Sequence, residues 1–254
     1  MHKDLSGTGN EASVHDPARR AALSDALGRV RELVADACKA ASREPDEVTL
    51  VAVTKTYPAS DVLHLAALGV ADVGENKDAE AAPKAAHVSD VLGGAGPRWH
   101  FIGQLQRNKA KSVVEYASCV HSVDREPLVT ALAGAVQQKR PDRPLDVLLQ
   151  VSIDGDPARG GVAIPDLEAL GAAVAARPEL NLRGLMAVAP LDWEPERAFA
   201  VLAEAASAFR VRYPTATLLS AGMSGDLAEA IAYGATHVRV GSLLLGSRPS
   251  AGLA

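Results

Sequence analysis

From residue 17 to about residue 41, Leu23, Leu27, Val30, Leu33, Val34 and Ala37 recur three or four positions apart, a period that predicts one amphipathic helix. Asp16-Pro17 supplies its start, an N-cap acceptor followed by a proline at the first helical position. After Pro45 the pattern changes. Residues 48–53 form a short β-branched apolar run, the signature of a strand buried on both faces. Strands are then predicted at 70–74, 99–103, 118–123, 146–151, 182–188, 217–220 and 236–240. Helices are predicted between and after them, at 58–68, 76–86, 109–114, 126–138, 165–176, 194–210 and 225–233. Regular strand–helix alternation implies a parallel sheet with helical crossovers. About eight such units match a closed barrel, and a doubly wound open sheet would show the same alternation. The chain is therefore read as α/β, a single (β/α)8 TIM barrel with an extra N-terminal helix. Residues 1–15 are polar and read as a disordered tail, and 16–250 as the barrel domain, with no Pro/Gly/Ser linker to divide it.

Composition narrows the function classes. The 254 residues are 48% hydrophobic and 22% charged, which fits a folded chain able to bury a sizeable core. A net charge of −5 and only 4% aromatic residues argue against a nucleic-acid binder or a stacking platform for single strands. No apolar run approaches the ~18 residues of a membrane span, and the first residues lack the apolar core of a signal peptide. A cytoplasmic protein with no membrane association is expected. Cys38 and Cys119 are too few for a disulfide framework and sit in apolar stretches, so both are expected in the core. The histidines show no metal-ligand spacing. His64 and His87 are read as helix-surface residues and His237 as packing at a strand start.

In a parallel barrel, chemistry belongs at the carboxyl ends of the strands. Lys55 directly follows the first apolar strand, where a desolvated amine can serve as a nucleophile, although a lone lysine there often just snorkels to solvent. Ser220-Ala221-Gly222-Met223-Ser224-Gly225 joins a strand to a helix, and Gly241-Ser242 follows the last strand. Such loops present backbone N–H groups and hydroxyls to an anion, and barrels often bind phosphate between the last two of them. Arg239, inside an apolar strand, is expected to reach the top of the barrel core. An amine, a phosphate cradle and an arginine at one mouth suit pyridoxal 5′-phosphate (PLP), whose aldehyde forms a Schiff base with a lysine.

Several runs closely resemble motifs of the YggS/PROSC family of pyridoxal phosphate homeostasis proteins. They are Val51-Ala52-Val53-Thr54-Lys55-Thr56, Gly74-Glu75-Asn76, the stretch from Trp99-His100-Phe101-Ile102-Gly103 to Lys109, Gly184-Leu185-Met186-Ala187, Leu219-Ser220-Ala221-Gly222-Met223-Ser224 and Val238-Arg239-Val240-Gly241. They follow family order from about residue 17 to residue 248. The resemblance implies the barrel of the alanine racemase N-terminal domain and PLP as cofactor. It places Lys55 at the Schiff-base position. It assigns Ser220, Ser224, Gly241 and Ser242 to the phosphate loops, Met223 to a position near the cofactor, and Arg239 to the pyridine nitrogen. Asn76 and His100 match polar residues lining the barrel mouth. The sequence departs from the family at Lys77-Asp78-Ala79-Glu80, Ala221, Ser242 and Leu244-Leu245, which touches packing around the cofactor more than the amine or the arginine.

A cation beside the pyridine nitrogen disfavours its protonation and weakens the ring as an electron sink. Racemases of this fold type take a second acid/base tyrosine from an additional β domain, and no such segment is visible after the eighth strand. Tyr57 is a conceivable substitute but reads better as a loop aromatic. The expectation is thus a monomeric PLP carrier with little or no turnover, whose partners are PLP and PLP-dependent apoenzymes. A PLP-dependent amino-acid racemase is the alternative.

Overall fold

The computed structural model describes residues 16–156 and 159–246. The expected tail, 1–15, and residues 247–250 of the expected barrel domain lie outside the described residues. The first helix, α1 (Pro17–Ala40), starts as the sequence requires: Asp16 accepts a hydrogen bond from the Arg19 N–H at 3.0 Å, and Pro17 occupies the first turn. Then follow β1 (Thr49–Val53), α2 (Ala59–Ala67), β2 (Asp72–Glu75), α3 (Asp78–Leu92), β3 (Arg98–Phe101), α4 (Ala110–Tyr116) and β4 (Ala117–Val123). The second half comprises α5 (Glu126–Lys139), β5 (Leu145–Ser152), β6 (Val162–Ala163), α6 (Leu167–Ala175), β7 (Leu180–Met186), α7 (Pro195–Arg212), β8 (Leu218–Ser220), α8 (Leu227–Ala232), β9 (His237–Val240) and α9 (Ser242–Leu245).

All strand pairs are parallel, and the sheet closes: β1 pairs with both β2 and β9, while β4 pairs with both β3 and β5. Closure excludes the open doubly wound sheet. The barrel has eight strands, with the two-residue β6 added to the edge of β5. The sequence did not signal β6, because two residues carry no readable period. The predicted helix at 76–86 extends to Leu92, passing through Pro83 and ending where Gly93 turns left-handed at φ +58°. Burial of Val88 against the strands holds that last stretch in place.

The N-terminal helix has a definite place in this architecture. It packs against α2, α8 and α9, and so closes the helical ring beside the single-turn α9. Arg19 fixes the arrangement, binding the Asp61 carboxylate of α2 at 2.6 Å and the Leu245 carbonyl at 3.1 Å. In α2, Ser60 to Leu65 are all buried. This corrects the reading of His64 as a surface residue: it is 6% exposed. Cys38 and Cys119 are both buried.

Between strands and helices lie two large apolar clusters. One includes Phe101, Leu132, Leu149, Leu185 and Phe199, and the other Leu23, Val73, Trp99 and Ile231. The strand faces that contribute to these clusters point away from the barrel axis, so the intervening residues point into the lumen. Val51, Val53, Gly74 and Ile102 meet there, as a side chain at Gly74 would lie 3.1 Å from Val51 and 3.3 Å from Ile102.

Candidate functional site

The lumen-facing set of β1 continues past Val51 and Val53 to Lys55, which lies at the carboxyl end of the barrel. A cavity of about 330 Å³ opens there, lined by Val53, Lys55, Tyr57, Ile102, Met223, Ser224, Gly225, Arg239, Gly241, Ser242 and Gly246. Six of the residues singled out in the sequence therefore meet around one space: Lys55, Met223, Ser224, Arg239, Gly241 and Ser242. The Ser242 hydroxyl donates to the Ser224 hydroxyl at 3.3 Å, which ties the loops after β8 and β9 together. The Asp226 carboxylate accepts from the Met223 N–H at 2.6 Å, which shapes the first of these loops. Gly222 is required beneath it: at φ +86° its Cβ would stand 2.6 Å from the Cβ of Ala230. In the second loop, the first turn of α9 leaves the Ser242 and Leu243 N–H groups without an intrahelical acceptor.

Three other expected residues lie elsewhere. Asn76 opens on a neighbouring cavity of about 300 Å³ with Lys77, Asp78, Gln104 and Lys109. His100 was expected at the barrel mouth and is instead inside the lumen, 5% exposed. Its Nε2 lies 2.7 Å from Asp72 Oδ1, at the start of β2, and its Nδ1 lies 2.8 Å from His121 Nε2. Ser220 was expected in the phosphate loop; its hydroxyl is fully buried in the lumen, where it meets His121 Nδ1 at 3.0 Å and Arg239 at 2.7 Å. Both corrections have one cause. His100 and Ser220 stand at lumen-facing positions within strands, and their polar atoms are engaged with lumen partners below the mouth.

Folding also assembles a cluster that spacing along the chain could not reveal. His100, Cys119 and His121 bring their ligating atoms within 4.8 Å of one another. The facing histidine nitrogens are engaged with each other, and burial pushes the Cys119 thiol well above its ordinary value. Burial, the largest cause, holds His121 far below the usual histidine range. Arg239 is 4% exposed, and burial lowers it to about 10, so it remains a cation at neutral pH.

Sequence reading missed the support of Lys55. On the outer face of the same strand end, the Lys84 ammonium donates to the Thr54 carbonyl at 3.0 Å, to Glu75 at 2.6 Å and to Glu80 at 2.8 Å. Glu80 in turn accepts from the Thr56 N–H at 2.5 Å, holding a β-branched residue at φ +71°. The peptide groups on both sides of Lys55 are thus pinned. Glu75 is fully buried, and burial raises its pKa despite the opposing pull of Lys84. The Glu80–Lys84 spacing of four was the visible signal, but it is common on solvated helix faces. Tyr57 is buried and donates its hydroxyl proton to the Gly246 carbonyl at 2.7 Å, anchoring the end of the last strand's loop at the cavity.

Comparison with known proteins places this geometry. Residues 29–249 match the family described as alanine racemase, N-terminal domain. A pyridoxal phosphate homeostasis protein of Mycobacterium tuberculosis is 43% identical over 246 residues, covering 91% of this chain and 95% of its own. The protein of the same name from Escherichia coli K12 is 40% identical over 225 residues, covering 87% and 95%. The chain belongs to the YggS/PROSC family. Among solved structures, PipY of Synechococcus elongatus with PLP bound superposes with a TM-score of 0.75 at 33% identity, over 88% of this chain and 100% of PipY. The YggS/PROSC barrel is thus the alanine racemase N-terminal fold, with the Lys55 cavity at the carboxyl ends of its strands.

Proposed function

We propose that the protein binds PLP covalently through the Lys55 amine and serves intracellular PLP homeostasis with little or no catalytic turnover. The observation that carries this reading is the single cavity in which Lys55 meets Arg239 and the Ser224–Ser242 hydroxyl pair. The donor set fits the cofactor. It offers an amine for the aldehyde, two hydroxyls and the first-turn N–H groups of α9 for the phosphate, and a guanidinium for the ring nitrogen. Met223 and Gly241 flank these groups. PLP bound to PipY, and the names of the relatives, support the same reading. When bound, PLP supplies an electrophilic carbon and an aromatic ring able to delocalise charge.

The chain's own residues favour holding the cofactor over turning substrate over. On this reading Arg239 faces the ring nitrogen and disfavours its protonation, which weakens the ring as an electron sink. Tyr57, the aromatic nearest Lys55 in sequence, has its proton committed to a backbone carbonyl. The protein is read as a cytoplasmic monomer that passes PLP to apoenzymes. Among the described residues no helix is long and apolar enough to cross a membrane.

The test is the visible absorption of the protein mixed with PLP, before and after borohydride, followed by peptide mapping. The expected result is a yellow band lost on reduction, with the label on Lys55 and no label in Lys55→Ala. Absence of both band and label would overturn the reading. Robust racemisation of alanine or serine by the same preparation would replace the carrier with an enzyme.

A further inference from the structure

Arg239 is a buried guanidinium, and among the described residues no carboxylate stands at ion-pair distance from it. Its guanidinium donates hydrogen bonds to two neutral oxygens, Ser220 Oγ at 2.7 Å and the Ala187 carbonyl at 2.8 Å. A buried cation needs compensation. The Asp226 carboxylate opposes the effect of burial from beyond ion-pair distance, and a path of hydrogen bonds supplies a second source.

A guanidinium only donates, so Ser220 Oγ accepts from Arg239 and keeps its own proton to give away. The hydroxyl's other neighbour is His121 Nδ1, at 3.0 Å. His121 is fully buried and neutral, so an accepting Nδ1 leaves its proton on Nε2. That proton points at His100 Nδ1, 2.8 Å away, which must then accept. The proton of His100 consequently sits on Nε2 and is donated to Asp72 Oδ1 at 2.7 Å. Asp72 also accepts two hydrogen bonds from Arg98, at 2.8 and 2.7 Å. Burial alone would raise the Asp72 carboxyl, but its bonds to His100 and Arg98 outweigh this and hold it below its ordinary value, so it is an anion. With neutral rings, the opposite polarity would set the bare Nε2 lone pair of His100 against this carboxylate. A doubly protonated His100 would avoid that clash only by placing a second cation in the same lumen as Arg239.

The bonds therefore run in one direction, from β9 through β8, β4 and β3 to the start of β2. β4 and β8 are separated in the sheet by β5 and β7, so the His121–Ser220 contact crosses the barrel. We propose that Asp72, His100, His121 and Ser220 form one oriented hydrogen-bond relay that positions Arg239 and compensates its charge beneath the cavity. These four are positioning residues, and the link to cofactor binding rests on the reading that Arg239 faces the PLP ring. The orientation of each dipole along the relay stabilises the cation at one end and the carboxylate at the other. Asp72, at the amino end of β2, is thereby linked to a cavity at the carboxyl ends of the strands.

Long-range 1H–15N correlation spectra of the full-length protein, 15N-labelled at histidine and free of PLP, test the relay by itself. The expected result at pH 7.5 is that His100 and His121 are both neutral with the proton on Nε2. A His121 protonated on Nδ1, or a His100 imidazolium, would overturn the proposal. Ser220→Ala then cuts the relay next to Arg239. It should shift the His121 ring nitrogens and weaken PLP binding roughly tenfold with an altered absorption band, and Ser220→Thr should restore both. Wild-type nitrogen shifts together with wild-type PLP affinity in Ser220→Ala would show that the relay does not reach Arg239. Should Ser220→Ala not fold, the tautomers of the unsubstituted protein still decide. Failure of borohydride to label Lys55 would sink the cofactor reading alone, because the tautomer measurement needs no PLP.

Discussion

Outside the strand cylinder, the space under the helices is filled by Phe101, Leu132, Leu149, Leu185 and Phe199 on one side and by Leu23, Val73 and Ile231 on the other. Inside it, a three-residue apolar cluster of Cys119, Leu148 and Met186 shares the lumen with Asp72, His100, His121, Ser220 and Arg239. The outer layer excludes water with non-directional contacts, so it tolerates variation in which apolar residue stands where. The lumen can stay dry only if every donor finds its acceptor, so its residues specify one another. The two lysines at the end of β1 show the same division. Lys84, on the outer face, is neutralised by Glu75 and Glu80, whereas Lys55 looks into the cavity. The difference separates stability from function: the outer layer holds the barrel closed, and the inner one sets what its mouth can bind.

The largest expected effect comes from breaking the outer layer alone. Phe199→Ala, at a position 1% exposed in α7, should lower unfolding free energy by about 3–5 kcal/mol in urea titrations. The absorption of bound PLP should stay as in the parent, and a changed band would mean that the two layers are not independent. A somewhat smaller loss, about 3 kcal/mol at pH 7.5, is expected for Lys84→Met, which strands Glu75 without its cation. Burial already raises the Glu75 pKa, so the folded state takes up a proton more readily than the unfolded chain. Acidification should therefore shrink the penalty, and equal losses at pH 7.5 and pH 5.5 would refute the assignment.

The third effect probes the lumen and has the opposite sign with pH. Burial, with His100, Arg98 and Arg239 adding to it and Asp72 opposing it, lowers His237 from 6.5 to about 4. A base depressed in the folded state binds its proton more readily when unfolded. Its contribution is intact above the unfolded value and is lost as pH falls from about 6.5 towards 4, on the order of 3 kcal/mol at most. Urea titrations across that window should show the decline, and His237→Asn should make it shallower, leaving the part that His121 contributes.

How much of this was legible in the sequence depended on how local the signal was. The α1 start, the strand–helix order and the strand-end positions of Lys55, Arg239, Ser224 and Ser242 could be read from neighbours in the chain. Ser220 and His100 were placed at the mouth because motif order says which strand a residue follows or occupies, and gives no depth within the lumen. His64 was read as a helix-surface residue, but it is buried, and its burial comes from packing that the local pattern does not show.

By itself, then, the sequence determined the α/β alternation, the parallel crossovers and the residues at the carboxyl ends of the strands, because periodicity and turn chemistry act over a few residues. Only the tertiary structure decided that the sheet closes, that α1 completes the helical ring, and that Lys84 braces the Lys55 loop. It also joined Asp72, His100, His121 and Ser220 into one path to Arg239. Those partners are separated by 28, 21, 99 and 19 positions. Barrel closure and strand register bring them to bonding distance, and neither is written in any local stretch of the chain.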